Sequence, residues 1–585
     1  MQRWLWAPNA EQVTAVIDGV EVPAWRGDGG WWRVADRRLQ PGCDYQFRLN
    51  GAGPLPDPRS EMQPYGVHGP SRIVDHQRFC WTDQGWQPAP LSAAVIYELH
   101  VGTFSRAGTF DGVIDNLEYL ASLGVTHLQL MPVCAFPGEW GWGYDGVCLF
   151  APHTAYGGPD GLKRLVNAAH GHGLAVLLDV VYNHLGPDGN YLAQFGPYFT
   201  DAYRTPWGEA VNLDGAHSHE VRRFFIDNAR MWLRDYHIDG LRLDAVHAFH
   251  DRSAVHFLEE LGDAVHELGR ELGRHVVVIA ESDLNDPKLL RPREAGGFGL
   301  DAQWSDDFHH AIHAYLTGER QGYYADFGSL EQLATSLRHG FVYRGQYSHF
   351  RRRPHGRSTP LPSPKKLLCY IQNHDQVGNR ARGERLSSLV CAERYMTAAT
   401  LMLTSPFIPM IFQGEEWYAS SPFRYFTAHT RPELAEAVRR GRRQEFADFG
   451  WSPEAIADPQ DTETFQASKL VWDERHHGEH ERVLKWYASL VHLRRNDTRL
   501  HGTPTVQLDT AAQWIALRRA QSSVVCHFGG EPARIAAPDD AAILAASSKR
   551  VSLAGGMLSL PPHSAVVLAH GGHGAPQKDF VAAGA

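Results

Sequence analysis

The sequence predicts an α/β fold in which a (β/α)8 TIM barrel is flanked by an N-terminal β-sandwich and a C-terminal β-domain. Two patterns along the 585 residues predict it. Between about residue 93 and residue 500, short and almost entirely apolar runs alternate with stretches of helical periodicity, which is typical of a parallel sheet covered by helices. At both ends of the chain, short β-like runs are separated by Gly, Asp and Pro turns.

Composition restricts the class of protein. Hydrophobic residues make up 43% and charged residues 21%, which is ordinary for a globular chain. The net charge of −10 and the lack of a basic block argue against nucleic-acid binding. No apolar run approaches the roughly 18 residues of a bilayer span, and the seven cysteines include no CxxC pair. We therefore expect no membrane or nucleic-acid partner, no disulfide framework and a cytoplasmic location.

Residues 1–90 form the predicted N-terminal β-sandwich, which would be similar to a carbohydrate-binding module or an immunoglobulin domain. Its strands are predicted in the segments RWLWAP, VTAVIDGVEVPAW, WWRVADRR and CDYQFRLNG. Residues 51–70 contain so many prolines and glycines that they predict a connector without regular structure.

Residues 91–500 form the predicted barrel, with an insert at about 417–480. Its eight strands are expected, in order, in AAVIYELH, VTHLQLMPV, LAVLLDVVYNH, GLRLDAVH, VVVIAESD, LDAQW, KLLCYIQNHD and PFIPMIFQGEE. Between them, apolar residues recur every three or four positions, as in the helix that begins at Asp111 and ends before Gly124. Residues 501–585 form the predicted C-terminal β-domain, with a loose tail from GGHGAPQKDF onward.

Polar residues follow the barrel strands at the end where a TIM barrel carries its active site. They are Glu98, His100, Asp179, Asn183, His184, Arg242, Asp244, His247, Glu281, Asp306, Asp307, His309, His310, His374 and Asp375. An acid after a strand is often only a helix cap. Acids after several separate apolar strands instead favour a functional site.

Two functions suit a carboxylate-rich rim, namely a metal site and glycoside hydrolysis by a pair of carboxyl groups. His170 and His172 have a metal-ligand spacing, but they lie at a helix end, where a cationic or a carbonyl-capping role is the better interpretation. Glycoside hydrolysis would also give Trp140 and Trp142 a use as surfaces on which sugars stack. We therefore favour a glycosidase.

Four of these segments, DVVYNH, GLRLDAVH, AESD and QNHDQ, resemble in order and position the signature regions of the α-amylase superfamily, glycoside hydrolase family 13. The resemblance covers essentially the whole barrel. It implies that Asp244 is the nucleophile, Glu281 the general acid/base and Asp375 the stabiliser of the transition state. It also implies that Arg242 keeps Asp244 ionised, and that Tyr144 stacks under the sugar.

The resemblance further implies a set of substrate-binding residues around this triad. They are Tyr144, Asp179, His184, Arg242, Leu243, Ala245, Val246, His247, Asp306, Asp307, Phe308, His309, His310, His374, Gln376, Val377, Gly378 and Asn379. The region after His184 is short compared with the calcium-holding excursion of many α-amylases. We therefore expect no metal and no cofactor.

Finer features place the chain within the superfamily. FPGEWGWGYDGV, IAESDLNDP, QWSDDFHHAIH, IQNHDQVGNR and the insert resemble the malto-oligosyltrehalose trehalohydrolases, although AHT replaces an acidic position of the insert. This resemblance implies a retaining hydrolase that releases trehalose from maltooligosyltrehalose, the product of a maltooligosyltrehalose synthase. The alternatives are a glycogen branching or debranching enzyme and a non-catalytic glucan-binding scaffold.

Overall fold

The computed structural model describes residues 2–445, 456–571 and 581–582. Its largest part is a closed barrel of eight parallel strands, flanked by strand-rich regions at both ends of the chain. The predicted fold class is therefore confirmed. The boundaries at residues 90 and 500 remain predictions.

The N-terminal region contains eight strands in two antiparallel sheets. They are β1 (Gln2–Trp6), β2 (Val13–Ile17), β3 (Val20–Pro23), β4 (Trp25–Arg26), β5 (Trp31–Ala35), β6 (Asp44–Leu49), β7 (Ala52–Leu55) and β8 (Ser71–Arg72). One sheet has the order β1-β5-β4 and the other β3-β2-β6-β7, with β8 also paired to β6. Trp6, Trp32 and Phe47 are buried in the hydrophobic core that the sheets share.

Strand β7 corrects the expectation that residues 51–70 lack regular structure. Ala52–Leu55 pairs with β6 through a register shift, although it contains Gly53 and Pro54. Proline lacks a backbone donor, but β7 lies at the edge of its sheet, where that donor is not needed. The sheet edge therefore tolerates a composition that would exclude an interior strand.

The barrel strands follow the predicted order. They are β9 (Ile96–Leu99), β10 (His127–Leu130), β13 (Ala175–Val180), β16 (Gly240–Leu243), β17 (Val277–Ala280), β18 (Ala302–Trp304), β21 (Leu367–Cys369) and β22 (Ile408–Phe412), and β22 pairs with β9 to close the barrel. Short antiparallel pairs lie outside it, namely β11 (Cys134–Ala135) with β12 (Cys148–Pro152), β14 (Phe199–Thr205) with β15 (Gly208–Val211), and β19 (Tyr347–Ser348) with β20 (Arg353–Pro354).

Inward-pointing side chains fill the interior of the barrel below the ends of the strands that carry the polar residues. One cluster includes Leu177, Ile279, Trp304 and Tyr370, and every one of these side chains is at most 2% exposed. Gly240 leaves room for this packing, because a Cβ there would lie 2.5 Å from Cγ2 of Val277. Because the interior is tightly packed, the polar residues at the upper ends of the strands are held in fixed positions.

Helices surround the barrel where the periodicity predicts them. They are α1 (Val101–Phe104), α2 (Phe110–Ile114), α3 (Leu117–Leu123), α4 (Gly158–Gly171), α5 (Leu192–Phe195), α6 (Ser218–Asp235), α7 (Phe257–Leu272), α8 (Asp306–Thr317), α9 (Leu330–His339), α10 (His374–Gly378), α11 (Leu386–Leu389) and α12 (Ala392–Thr404). The helix expected from Asp111 is divided into α2 and α3, and Gly124 ends it with a φ of +96°.

His170, near the end of α4, is a structural histidine at the lower end of the barrel. Its Nδ1 lies 2.8 Å from Asp83 and its Nε2 2.9 Å from Asp239, while its ring stacks on Trp86. Burial alone would lower the pKa of His170, but the two carboxylates raise it above its usual value. The ring therefore ties the segment before the barrel to its base. Its contacts with two carboxylates fit the cationic role, one of the two expected, rather than carbonyl capping.

The C-terminal third completes the barrel and adds a β-region. Within the described residues, the insert contains α13 (Pro432–Glu445) and α14 (Thr462–Ala467), and α15 (Gly478–Asn496) is the last barrel helix. The strands that follow are β23 (Thr505–Asp509), β24 (Trp514–Arg518), β25 (Ser522–His527), β26 (Ala533–Ala536), β27 (Ala542–Ala546), β28 (Ser552–Ala554), β29 (Met557–Leu560), β30 (Ser564–Ala569) and β31 (Val581–Ala582). The predicted loose tail lies mostly outside the described residues. No described helix has the length and apolarity of a membrane span.

Candidate active site

The upper ends of the barrel strands bring the predicted polar residues to one side of the molecule. Glu98 is on β9, Asp179 on β13 and Arg242 on β16. Asp244 follows β16 directly, and Glu281 follows β17. The sequence-predicted triad is completed by Asp375 in α10, after β21. Parallel strands in register therefore collect carboxylates that are far apart in the chain.

Arg242 links several of these carboxylates from its buried position. Its Nη1 donates to both carboxylate oxygens of Asp179 and to Oδ1 of Asp244, each at 2.8 Å. Its Nη2 lies 3.7 Å from Oε2 of Glu281. Its guanidinium packs on the Trp304 ring at 4.4 Å, so the barrel interior holds the cation in place.

Asp244 is held as an anion. Its Oδ2 accepts a hydrogen bond from Nδ2 of Asn183 at 2.8 Å, in addition to the contact of Oδ1 with Arg242. Burial alone would raise its pKa, but Arg242, His184 and these hydrogen bonds lower the pKa below its usual value. A partly exposed carboxylate that stays ionised is suited to nucleophilic attack.

Glu281 has the opposite protonation preference. Burial raises its pKa well above the usual value, and the charges of Asp244, Asp306 and Asp375 raise it further, although Arg242 acts against them. Its Oε2 accepts the backbone N–H of Ala245 at 2.5 Å. Ala245 has a φ of +40°, an uncommon backbone conformation for an alanine, in the turn that follows β16. The same turn therefore positions both carboxyl groups.

Asp375 is positioned by a chain of hydrogen bonds that begins in the insert. Nδ2 of Asn379 donates to Oδ1 of Asp375 at 2.5 Å. Arg442, on α13, donates to Oδ1 of Asn379 at 2.8 Å and to the carbonyl of Gly378 at 3.2 Å. The arginine thereby orients the Asn379 amide, with its NH₂ group toward the carboxylate. Sequence reasoning missed Arg442, since nothing in the local pattern of the insert signals it.

Tyr144 and His374 form the floor beside Asp179. The Tyr144 hydroxyl donates to Oδ2 of Asp179 at 2.7 Å and lies 2.8 Å from Nε2 of His374, and the two rings stack. Glu98 holds the other side of His374, with 2.6 Å between its Oε1 and Nδ1. Burial would lower the pKa of His374, but Glu98 and Asp375 raise it overall.

His184 lies at the edge of the same site. Its Nδ1 lies 2.5 Å from Oδ1 of Asn183, and its Nε2 lies 3.1 Å from the carbonyl of Tyr144. Trp207 stacks flat on its ring at 4.3 Å and is 47% exposed. Trp207 is therefore a further aromatic surface at the edge of the site, and no strand-end pattern in the sequence indicated it.

Asp306 and Asp307 are neighbours in the chain with different surroundings. Asp306 accepts a hydrogen bond from the Tyr370 hydroxyl, and burial together with nearby acids raises its pKa to about 7. Oδ2 of Asp307 instead accepts the backbone N–H groups of Val342 and Tyr343, at 2.7 and 2.9 Å. Asp307 therefore holds a loop in place through this oxygen, and its contact with substrate stays a prediction.

The remaining predicted residues divide between surface, site edge and core. His247 is exposed, whereas Ala245 and Val246, in the turn after β16, and His310 and Gln376, on α8 and α10, are buried. Leu243, Phe308, His309 and Val377 are at most 3% exposed, and Leu243 and Phe308 belong to the main hydrophobic core. For those two residues, the structure supports packing rather than a side-chain contact with substrate.

Trp142 is likewise a packing residue, contrary to its expected use as a stacking surface. Its ring stacks on Phe423 at 5.3 Å, and its Nε1 donates to the carbonyl of Arg424. Gly378 contacts it so closely that a Cβ would lie 1.9 Å from Cζ2 of the indole. Trp140 stacks on Phe465. Trp142 therefore stabilises the wall of the site, whereas Trp140 is only half-buried and its use as a stacking surface remains a prediction.

No group of three or more His, Cys, Asp or Glu side chains that could hold a metal ion occurs in the part of the chain that the structure describes. The carboxylates of the site are instead paired with Arg242, Asn183, Tyr144 and backbone N–H groups. The arrangement is thus suited to acid–base and nucleophilic chemistry by side chains.

Comparison with known proteins agrees with this geometry. The family model of the alpha-amylase catalytic domain matches residues 77–204. A malto-oligosyltrehalose trehalohydrolase of Rhizobium sp. (strain M-11) is 48% identical over 577 residues, which are 96% of this chain and 97% of the relative. Another, from Saccharolobus solfataricus, is 48% identical over 84% of each chain.

A similar solved structure is that of a Salmonella typhimurium protein, which is provisionally named an alpha amylase. It is 38% identical, covers 97% of each chain and superposes with a TM-score of 0.88.

Proposed function

We infer the chemistry of this site from the premise that the chain belongs to the malto-oligosyltrehalose trehalohydrolases, a family with the alpha-amylase type of catalytic domain. The protein is a glycosidase that cleaves the α-1,4-glucosidic bond next to the terminal trehalose of maltooligosyltrehalose. Trehalose and a maltooligosaccharide are released. Branching and debranching activities are not favoured, because the trehalohydrolases match nearly the whole chain.

We assign the first chemical step to Asp244 and Glu281. Oε2 of Glu281 accepts the N–H of Ala245 and faces Arg242, so the proton of the neutral acid resides on Oε1. Glu281 donates this proton to the glycosidic oxygen while an Asp244 oxygen bonds to the anomeric carbon. The C–O bond to the leaving sugar breaks with its electron pair on the protonated oxygen, and a glycosyl ester forms.

The second step reverses these roles. Glu281, now a carboxylate, takes a proton from water as the water oxygen attacks the anomeric carbon. The ester bond breaks, and Asp244 regains its charge beside Arg242. Two displacements at one carbon retain its configuration. Asp375 is the third member of the proposed triad, and its charge stabilises the oxocarbenium-like transition states.

The observation that carries this proposal is the different set of contacts of two carboxyl groups: Asp244 accepts from Arg242 and Asn183, whereas Glu281 accepts the backbone N–H of Ala245. These surroundings agree with a lowered pKa at Asp244 and a raised pKa at Glu281. The test incubates the protein separately with maltooligosyltrehalose, maltoheptaose and amylopectin and analyses the products. We expect trehalose to be the main product, from the first substrate only. Branch transfer or debranching of amylopectin would contradict the assigned substrate, and inertness towards all three would favour a non-catalytic scaffold.

We also propose the place of the reaction in the cell. The substrate would be supplied by a maltooligosyltrehalose synthase, because another enzyme must first build the trehalose end that this protein releases. Seven cysteines are free, including the buried Cys134 and Cys148, which is consistent with a reducing, cytoplasmic compartment.

Arg442 is expected to act as a positioning residue for Asp375. Replacing it with alanine frees the Asn379 amide and should lower kcat about 10- to 100-fold, with a smaller change in KM, because Asp375 acts mainly on the transition state. Steady-state kinetics on maltooligosyltrehalose measure the effect.

Arg440 offers a matched control on the same helix, since its side chain is 68% exposed and its ion pair with Glu436 is 4.0 Å long. Arg440→Ala should keep wild-type kinetics. An equal loss of kcat in the two variants would mean that the effect comes from the helix as a whole and not from the contact of Arg442 with Asn379.

A further inference from the structure

A cavity of about 630 Å³ lies where the N-terminal sheet β1-β5-β4 meets helix α6 of the barrel. Two tryptophans and four charged residues form most of its walls, namely Trp4, Asp28, Trp31, Arg59, Arg223 and Asp227. None of these residues belongs to the catalytic site. The cavity is therefore a separate concave surface that the proposed reaction does not use.

Trp4 provides an aromatic face that no described ring or cation covers. It lies on β1 opposite Arg33 of β5 and is exposed, whereas Leu5 and Trp6 of the same strand are buried. Its side chain is 45% exposed. Since a large exposed indole in contact with water is unfavourable, such a residue in a cavity wall suggests a ligand face.

Trp31, on β5 of the same sheet, is held in place by polar contacts and by two arginines. The indole N–H of Trp31 donates to Oε1 of Glu220 at 2.9 Å, which fixes the ring against α6. Arg59 and Arg223 both pack on that ring, at 5.7 and 5.4 Å. Arg59 also donates to Oδ2 of Asp227 at 2.9 Å. The planar polar groups are therefore already in position before any ligand binds.

The balance of charges limits the class of ligand. Two arginines and two aspartates give the lining no net charge, so it lacks the surplus of cations that a phosphate or a nucleic acid requires. A wholly apolar ligand would desolvate these four ions without replacing their hydrogen bonds. An uncharged ring with many hydroxyl groups satisfies both conditions, because hydroxyls donate to carboxylates and accept from guanidinium groups while the ring face packs on an indole.

We propose that this cavity binds a segment of α-1,4-glucan, with Trp4 as the stacking surface and Arg59, Arg223 and Asp227 as the hydrogen-bonding groups. The choice of an α-glucan rests on the proposed function, whereas the class of uncharged polyhydroxylated ligand rests on the cavity alone. A long chain held here and in the catalytic site would bind with an increased effective concentration. A short substrate would gain nothing.

The test compares Trp4→Ala with a matched control, Trp25→Ala. Trp25 lies on β4 of the same sheet, also opposite Arg33, and is 54% exposed, but it does not line the cavity. Electrophoresis in native gels containing increasing amylose measures the dissociation constant. We expect Trp4→Ala to weaken amylose binding about tenfold, and Trp25→Ala and Trp4→Phe to bind like the wild type. Turnover of a short maltooligosyltrehalose should be unchanged in all three variants.

Several results would overturn the site. They are the absence of amylose retardation for the wild type, equal retardation of wild type and Trp4→Ala, and equal weakening by Trp4→Ala and Trp25→Ala. Equal melting temperatures of the variants exclude unfolding as the cause of any loss. A protein that releases no trehalose but still shows retardation dependent on Trp4 would contradict the proposed reaction and leave the glucan site standing, so the two failures are distinguishable.

Discussion

Asp244→Ala is expected to abolish trehalose release from maltooligosyltrehalose, with a loss in kcat of about 10⁴-fold or more, the order found when a covalent nucleophile is removed from a hydrolase. Without this carboxylate no glycosyl ester can form, and neither Asp179 nor Asp375 is placed as Asp244 is, between Arg242 and Asn183. Quantifying trehalose at saturating substrate measures the loss.

The fold should survive this change, because Asp244 lies after β16 and contributes no apolar packing to the barrel interior. Thermal unfolding followed by circular dichroism serves as the control, and Asp244→Asn provides a second variant of nearly equal volume. Undiminished activity in either variant would remove Asp244 from the role of nucleophile.

Glu281→Gln is expected to lower kcat by about 10²- to 10⁴-fold, the range typical of a lost general acid/base. The amide cannot protonate the leaving oxygen in the first step, nor activate water in the second. A substrate with a leaving group that needs no protonation, such as an aryl or fluoride glycoside, should recover the first step only. The intermediate on Asp244 would then accumulate and be visible by mass spectrometry of the intact protein.

The pH dependence of kcat/KM tests the same assignment. Activity requires neutral Glu281, so it falls as pH rises through the raised pKa of that group, whereas the lowered pKa of Asp244 places the acidic limit below its usual range. Asp306 raises the pKa of Glu281. Asp306→Asn should therefore move the alkaline limit to lower pH, whatever its effect on the maximum. An unchanged limit would mean that another group sets it.

Much of the fold could be predicted from the sequence because its signals are local. Each barrel strand is a run buried on both faces, and each helix has an apolar side with a three- to four-residue period. Residues 52–55 were missed, since their pairing depends on β6 and the sheet edge rather than on their own composition. Because these local patterns also mark where each strand ends, the acids that follow the strands could be placed at one end of the barrel.

The sequence by itself determined the barrel, its eight strands in order, and the set of acids, with Arg242, at their ends. The family resemblance implied different roles for those acids, but only the tertiary structure shows which contacts would distinguish them. It lowers the pKa of Asp244 and raises that of Glu281. It directs Asp307 to a loop and buries Trp142. It also brings Arg442 to Asn379 across 63 positions of the chain. The physical reason is that a pKa or a contact depends on charge, burial and hydrogen bonds within a few ångströms, and these neighbours come from distant parts of the sequence.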